Sequence, residues 1–467
     1  METANEVEEE TFRVIIFNRA GAEILVGSSS ARLMLPCIRI PHWQRVAENL
    51  ALVVDAEFGE QVVCLFTPDP RSSAPHRKEI HYQVAEHWRT VRERRLPLTW
   101  ASVSALSEDS FVDPYDYSVI LHSLAQCNAG DPRVPTGPFA RLGWFHEFRE
   151  WVAKAIEPRG LHISENFRQF NAGLSFSLVR FETNGPAVWF KAVGEPNQKE
   201  FPLTCTLAQL FPSYLPSILE TRRDWNGWLA QEVEGTNLNE TGDLELWAVA
   251  AEAMAKLQIG SINHCQDILV SGARDQRTAV LSDRVRPFMD VMAQLMDQQA
   301  KVSPPILGQK ELLLLGDRLQ TALEGLRVLE VPDALGHLDL NPANIIVSTK
   351  QCTFLDWAEA YVGNPFFSLQ YLLEHFRRAT SAEALTEARL TAAYFVPWEQ
   401  VIPRTAITEA MASVPLLAAF AYATGNEAWK DPERLRDLNT AGYLRSLTRR
   451  MNREANAVSS RWSPCLG

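Results

Sequence analysis

The sequence contains no Cys-x-x-Cys pair. Its seven cysteines (37, 64, 127, 205, 265, 352 and 465) are scattered and odd in number. Such spacing supports neither a zinc site nor a disulfide framework, so free thiols in a reducing compartment are expected. Positive charge is also scarce, with 45 Lys and Arg against 57 Asp and Glu and a net charge of −12. No nucleic-acid partner is expected, because neutralising phosphates takes clustered basic side chains. Residues 1–10 are acidic and lack the basic and apolar regions of a signal peptide. The longest apolar run, Val414 to Ala423, contains Pro415 and is shorter than the roughly 20 residues a bilayer span needs. Repeats and low-complexity tracts are absent. These absences together predict a soluble, cytoplasmic protein with no membrane partner, and they leave its oligomeric state open.

At 467 residues with 46% apolar content, the chain should fold as two domains or more. Residues 12–17 and 22–26 read as strands around a turn at Asn18 to Gly21. A short run from Leu33 to Pro36 follows, then a helix over 46–58, a strand over 61–66, a loop over 67–78, a strand over 79–86 and a helix over 110–128. Residues 129–140, with three prolines and two glycines, have linker composition. Trp144, Phe145, Phe148, Trp151, Val152 and Ile156 then fall on one face of an amphipathic helix, expected to pack the two domains together.

Residues 165–235 read as a second β-rich region. A turn of small residues, Asn171 to Ser175, lies between two strands and lets backbone N–H groups approach phosphates. The following strand, Ala187 to Val193, carries Lys191 inside an apolar run. A buried lysine needs a partner, and the alternative is an edge-strand lysine whose ammonium reaches water. Glu200 opens a helix bearing Leu203, Leu207 and Leu210. Residues 228–231 form a strand ahead of a hinge. From 243 onward the apolar period is helical, with helices expected over 278–300, 309–328, 366–378, 381–396, 406–423 and 433–455.

Asp339, Asn344 and Asp356 stand out within that helical half. Asn344 lies five residues after Asp339 and Asp356 twelve after Asn344. Two apolar runs, Ile345 to Val347 and Thr353 to Leu355, flank a polar turn and read as a hairpin. That hairpin brings Asn344 and Asp356 together as hard oxygen ligands suited to Mg²⁺, with Asp339 beside them as a carboxylate able to take a proton from a hydroxyl. The alternative is an ordinary hairpin with polar flanks.

The run His337-Leu338-Asp339 to Asn344, followed by Leu355-Asp356-Trp357, resembles the aminoglycoside phosphotransferase family of protein-kinase-like small-molecule kinases. The resemblance implies an α+β chain in which residues 165–235 are the β-rich small lobe and 236–467 the helical large lobe of a bilobal kinase-like domain. It implies Asp339 as catalytic base, Asn344 and Asp356 as Mg²⁺ ligands and His337 as a structural support. It also implies ATP (or GTP) held by Lys191, Glu200 and Ser175, with the hinge near Gln231 to Val233 meeting the base, and a small-molecule hydroxyl acceptor. Two departures are visible. Leu338 replaces the usual Gly, and Gly363-Asn364-Pro365-Phe366-Phe367-Ser368 lacks both acids of the family's Gly-Asp-Pro-x-x-Asp, which puts the bracing of that loop in doubt. Glu359 and Glu374 are compatible with an amine-bearing acceptor.

Residues 1–135 resemble, by layout only, an N-terminal α/β Nudix-like domain, joined through residues 136–164. If Gly59 ends the Nudix box, only Glu57 of its metal-binding glutamates remains, and Val53 and Ala56 occupy the positions of two others. A non-catalytic role is therefore expected for it. Two rival functions follow: a catalytically inactive kinase-like nucleotide- or partner-binding protein, and a nucleotide hydrolase working from the N-terminal domain.

Overall fold

The structure, a computed structural model, describes residues 9–29, 32–68, 80–92, 98–129, 137–349, 351–379 and 384–461. The loop expected over 67–78 lies largely outside them, as does the linker expected over 129–140. The chain divides into two compact units, residues 1–201 with 217–232, and residues 202–216 with 233–467.

The first unit opens with β1 (Glu9–Phe17), β2 (Glu23–Ser29), β3 (Arg32–Met34), β4 (Cys37–Pro41), α1 (Val46–Phe58), β5 (Glu60–Phe66), β6 (Ile80–Thr90) and β7 (Thr99–Ser102). Among the described residues these strands make one sheet in the order β3-β2-β1-β6-β5, with β4 on β1 and β7 on β2. Strands β1 and β6 run parallel. Side chains alternate across β1 as a period of two requires: Phe12, Val14 and Ile16 pack under α1, and Ile15 and Phe17 enter a different core on the other face. Helix α1 ends at Gly59, whose φ of 72° and whose distance of 2.7 Å from a built Cβ to the Arg92 carbonyl oxygen both require glycine. Helix α2 (Tyr115–Ala129) begins five residues later than the expected helix over 110–128. Phe111 is held instead in a bridge to Leu33, and Pro114 precedes the first helical residue.

Next come α3 (Trp144–Ile156), β8 (Ile163–Ala172), β9 (Ser177–Thr183), β10 (Val188–Ala192), α4 (Glu200–Leu210), β11 (Ile218–Arg222) and β12 (Gly227–Gln231). The last strands form a second antiparallel sheet in the order β11-β12-β10-β9-β8. Trp144, Phe145, Phe148, Val152 and Ile156 of α3 are fully buried. They lie in one core with Ile15, Val63 and Val84 of the first sheet and Phe181, Phe190 and Leu229 of the second. Phe148 meets Phe190 at 4.6 Å and Phe145 meets Trp88 at 5.2 Å between ring centroids. The aromatic stripe thus joins two sheets within one compact unit. Buried Gln169 of β8 adds a polar tie. Its Oε1 accepts from the Cys64 backbone N–H at 2.8 Å, and its Nε2 donates to the Cys64 carbonyl at 3.0 Å.

The second unit contains β13 (Thr236–Asn237), α5 (Leu244–Ser261), α6 (Cys265–Ser271), β14 (Arg274–Gln276), α7 (Thr278–Asp297), α8 (Gln309–Val328), β15 (Ala334–His337), β16 (Ile345–Val347), β17 (Cys352–Phe354), β18 (Ala360–Gly363), α9 (Phe366–Ala379), α10 (Ala384–Trp398), α11 (Arg404–Gly425), α12 (Pro432–Arg436) and α13 (Leu438–Arg461). Two small sheets, β13-β16-β17 and β14-β18-β15, sit among these helices. Two expectations need correction. Helix α11 runs 22 residues through Pro415, and by length and composition alone it is apolar enough to cross a membrane. Its Val414, Leu416, Leu417 and Phe420 are buried in the core of this unit. The helix expected over 433–455 is broken at Asp437, whose carboxylate accepts from the Thr440 backbone N–H at 2.9 Å and so starts a new helix.

Glu86 of β6 sets a pH dependence on the first unit. Its side chain is buried, and one carboxylate oxygen accepts a 2.6 Å hydrogen bond from the Gly143 N–H that caps α3. Among the described residues the other oxygen, Oε1, is buried without a hydrogen-bond partner. Burial pushes the carboxyl up from near 4.5 to about 7, against smaller opposing effects of the Gly143 N–H and Arg19. A raised acid stabilises the fold fully below its unfolded value and loses that contribution as pH rises to the folded one. Stability of this unit should therefore fall between about pH 4.5 and 7. Glu86→Gln should flatten that fall and raise stability above pH 7 by up to about 3 kcal/mol, measured by urea unfolding followed by tryptophan fluorescence.

Candidate active site

In the second unit, β15 delivers Gly336 and His337 into the core, and the chain then turns. The Leu338 N–H donates to the Glu359 carbonyl at 3.1 Å, which fixes the start of the loop against the segment after Asp356. Asn341 closes a short turn, its Oδ1 accepting from the Ala343 N–H at 3.0 Å. The turn presents Asn344, whose Nδ2 lies 3.3 Å from the Asp339 carbonyl and 3.4 Å from Asp339 Oδ2. The predicted hairpin follows as β16 and β17, with Ile345 opposite Phe354. Its closing hydrogen bond runs from the Leu355 N–H to the Asn344 carbonyl at 2.8 Å, so Leu355 lies opposite Asn344 and Asp356 is the next residue as the chain leaves the ladder. Asp356 holds a left-handed backbone, φ 62° and ψ 64°, and its side chain is exposed. Non-glycine residues avoid that region unless their surroundings impose it, and such strain gathers at functional sites.

His337 ties these pieces together. The imidazole is fully buried. Its Nδ1 accepts from the Asp339 N–H at 3.2 Å, which leaves Nε2 to donate to the Leu355 carbonyl at 3.1 Å. That pattern needs the neutral ring, and burial lowers its pKa accordingly, against the nearby Asp356 and Asp339 charges. Trp357 packs against the imidazole at 5.0 Å and donates its indole N–H to the Phe354 carbonyl at 3.3 Å.

The two lost acids of the 363–368 segment do not leave the loop without support. Ser368 is buried, and its hydroxyl accepts from the His337 backbone N–H at 2.9 Å. The Tyr361 hydroxyl donates to the Asn364 carbonyl at 2.8 Å and lies 3.2 Å from the Ser368 hydroxyl. The Asn364 side chain accepts from the Phe366 N–H at 3.0 Å and starts α9. Gly336 is required beneath Tyr361, because a built Cβ would lie 2.0 Å from its ring. Neutral groups thus replace the charges, and the doubt raised by the sequence is answered by geometry. Leu338, the other departure, is fully buried in the core.

The first unit holds the other predicted residues. Lys191 is on β10, the middle strand of its sheet, pairing with Leu178 on one side and Trp228 on the other. The edge-strand reading of Lys191 therefore fails. Its Nζ is 2.6 Å from Glu200 Oε1 and 5.8 Å from the Trp228 ring centroid. The Glu200 side chain is 1% exposed. Ser175 lies in the turn between β8 and β9 and is nearly buried, packed over Gly194, where a built Cβ would meet its hydroxyl at 2.0 Å. Gln231 ends β12, its N–H donating to the Ser217 carbonyl at 3.0 Å. Val233, half-buried, begins the second unit's part of the chain.

Several neighbours escaped the sequence reading. Arg180 of β9 grips Glu232 through Nε at 2.6 Å and Nη2 at 3.0 Å, and the Trp189 indole N–H donates to the same carboxylate at 3.2 Å. Glu359 and Glu374, read as available to an amine, are both already ion-paired. Glu359 lies 3.2 Å from Arg274. Glu374 contacts Arg450 and Arg378 and accepts from Gln370 at 2.8 Å. No spacing in the sequence signals the Arg180–Glu232, Arg274–Glu359 and Arg450–Glu374 pairs, because those partners come from distant elements, whereas Arg378 and Gln370 sit four residues to either side of Glu374 on α9.

With this geometry in place, comparison with known families gives one match: residues 227–401 fit the family model described as APH, phosphotransferase enzyme family. The match spans less than half of the chain. It includes His337, Asp339, Asn344 and Asp356 and excludes Lys191, Glu200 and Ser175. Searching curated proteins gives no match. Among solved structures, a macrolide 2′-phosphotransferase from Brachybacterium faecium is 17% identical, covering 63% of this chain and 97% of its own, with a TM-score of 0.41. A choline kinase from Cryptosporidium parvum is 12% identical over 68% of this chain and 97% of its own, TM-score 0.48. A spectinomycin phosphotransferase solved with ADP and spectinomycin is 10% identical over 66% and 98%, TM-score 0.40. The Nudix-like layout of residues 1–135 finds no support in these comparisons.

Two substitutions test the local architecture of the matched segment and of the sheet before it. Ser368→Ala removes the acceptor from a buried N–H and should cost about 1–3 kcal/mol, read by chemical denaturation. Lys191→Met takes the ammonium away from a carboxylate that stays buried and should cost about 3 kcal/mol or more. The double variant Lys191→Met/Glu200→Leu should cost less than the single one, so a double-mutant cycle on melting checks the pair.

Proposed function

We propose that the protein is a nucleotide-dependent small-molecule kinase that transfers a γ-phosphoryl group to an acceptor hydroxyl. The observation that carries this reading is the set of hydrogen bonds by which Asn344 meets Asp339 and buried His337 ties the Asp339 backbone to Leu355, the residue before Asp356. The phosphotransferase-family match over the same residues supports it.

In this reading the acceptor oxygen forms a bond to the γ-phosphorus while the bond to the β,γ-bridging oxygen breaks. Asp339 orients the hydroxyl and takes its proton. Asn344 and Asp356 offer oxygen donors, the chemistry Mg²⁺ prefers, and a bound Mg²⁺ would neutralise charge developing on the phosphate oxygens. Asn344, whose amide nitrogen lies toward Asp339, would contribute its Oδ1. Lys191, held by Glu200, would contact the nucleotide phosphates, and Ser175 in the preceding turn would add a hydroxyl or N–H donor. Backbone groups of Gln231 to Val233 would meet the nucleotide base, ATP or GTP, with Glu232 fixed by Arg180 as support. Most of the rate would come from positioning and electrostatics rather than covalent chemistry. Residues 1–135 serve as a non-catalytic domain fused to the small lobe, and a cytoplasmic setting fits the free thiols of Cys37, Cys64, Cys127, Cys265 and Cys352.

Nucleotide turnover with an acceptor mixture, measured by release of the diphosphate, tests the reading. Asp339→Ala should lower kcat by about a hundredfold or more while nucleotide binding persists. Asp356→Ala should abolish the Mg²⁺ dependence of nucleotide binding. Turnover undiminished in Asp339→Ala, or lost only on removing the N-terminal domain, would reject it.

A further inference from the structure

The loop that carries Asp339 is tied at two points, and His337 accounts for one of them. The imidazole takes the Asp339 N–H and gives its own N–H to the Leu355 carbonyl. At the second point the Leu338 N–H donates to the Glu359 carbonyl at 3.1 Å. Leu338 immediately precedes the proposed base, and Glu359 ends the short turn Trp357–Glu359 that follows Asp356. Whatever holds Glu359 therefore holds both loops.

Arg274 holds it. This guanidinium comes from β14, which runs parallel to β18 and sets Arg274 opposite Tyr361. On the other side of β18, His337 lies opposite Ala360. Arg274 Nη1 is 3.2 Å from Glu359 Oε2, and Nη2 donates to Oε1 at 3.4 Å. Nη1 and Oε2 are buried, and among the described residues neither has an aligned hydrogen-bond partner. The contact is thus chiefly one of charge. The end of α11 closes another side. Alternation along β14 sends Arg274 and Gln276 to one face. A Cβ built on Gly425 would lie 3.3 Å from Arg274 Nη1, 2.9 Å from Gln276 Nε2 and 3.4 Å from Leu338 Cδ1. Gln276 is fully buried and donates its Nε2 to the Ala421 carbonyl at 3.1 Å. Arg274 and Leu338 therefore share one small residue as their floor. A partly buried ion pair adds little net stability over apolar side chains of the same volume, and its best-attested use is to fix one arrangement. Here the arrangement is that of the residue before the base.

We infer that Arg274 is a positioning residue for the kinase reading above, on which this inference rests: by holding Glu359 it sets Leu338, and through Leu338 the carboxylate of Asp339. The test uses the full chain with Mg²⁺, ATP or GTP, and a panel of neutral sugars, aminoglycosides and amino alcohols. Arg274→Gln should lower kcat for the best acceptor about tenfold to a hundredfold and keep the nucleotide KM within about twofold. Arg274→Lys, which keeps the charge, should recover most of the loss. Glu359→Gln should lower kcat by a similar factor, and the double variant Arg274→Gln/Glu359→Gln by no more than either single one, because two halves of one clamp are not additive. Hydrogen exchange gives a readout that needs no acceptor. The Leu338 amide should exchange faster in Arg274→Gln while the amides of β16 and β17 keep their rates. Arg277→Gln, whose guanidinium pairs with Asp275 at 2.6 Å, should change neither readout. Undiminished turnover in Arg274→Gln, a loss that lysine does not recover, or additive losses in the double variant would overturn the inference and leave the kinase reading intact. Failure of every acceptor to give turnover that depends on Asp339 would overturn both.

Discussion

One buried, neutral imidazole holds the candidate site in shape. His337 accepts from the backbone of Asp339 and donates to the backbone of Leu355, so one ring sets the spacing between the loop that carries the proposed base and the strand end that carries Asp356. The surrounding features serve that ring. Trp357 covers it, Ser368 takes its backbone N–H, and Gly336 leaves room for Tyr361 to reach Asn364 and Ser368. A fully buried polar group must be satisfied on every side, and each of these contacts satisfies one. The strained backbone of Asp356 is held by the same set, since the residues on both sides of it are hydrogen-bonded.

A second constraint shapes the first unit. Phe190 and Lys191 are neighbours on β10 and so point to opposite faces of the sheet. Phe190 joins the aromatic core under α3, and this puts Lys191 on the face shared with Glu200 and Trp228. The position of the lysine therefore depends on α3 and on the N-terminal sheet, whose Ile15, Val63 and Val84 lie in the same core and so support the β8–β12 sheet.

Much of this was legible from residue order. The bounds of α1, the aromatic face of α3 and the hairpin after Asn344 followed from periodicity and turn chemistry, signals that lie within a dozen residues. The pairing of Lys191 with Glu200 came through a resemblance, and the structure placed the two side chains 2.6 Å apart. What stayed hidden depends on distance in the chain. Arg180 with Glu232, Arg274 with Glu359 and Arg450 with Glu374 are pairs whose members are brought together by the tertiary fold alone. Ser368 was misleading for a different reason. A serine in place of an acid looks like a loss, yet a hydroxyl accepts a backbone N–H as well as a carboxylate does and carries no buried charge.

Gln169 has an effect beyond joining two sheets. Strand β5 ends the order of its sheet, and the outer edge of such a strand is a template on which another polypeptide can add itself. At Cys64 the backbone N–H and carbonyl are already taken by the two ends of one side-chain amide, in the geometry a neighbouring strand would use. The amide acts as a one-residue stopper, and it makes the border of this sheet a poor starting point for self-association and fibril growth.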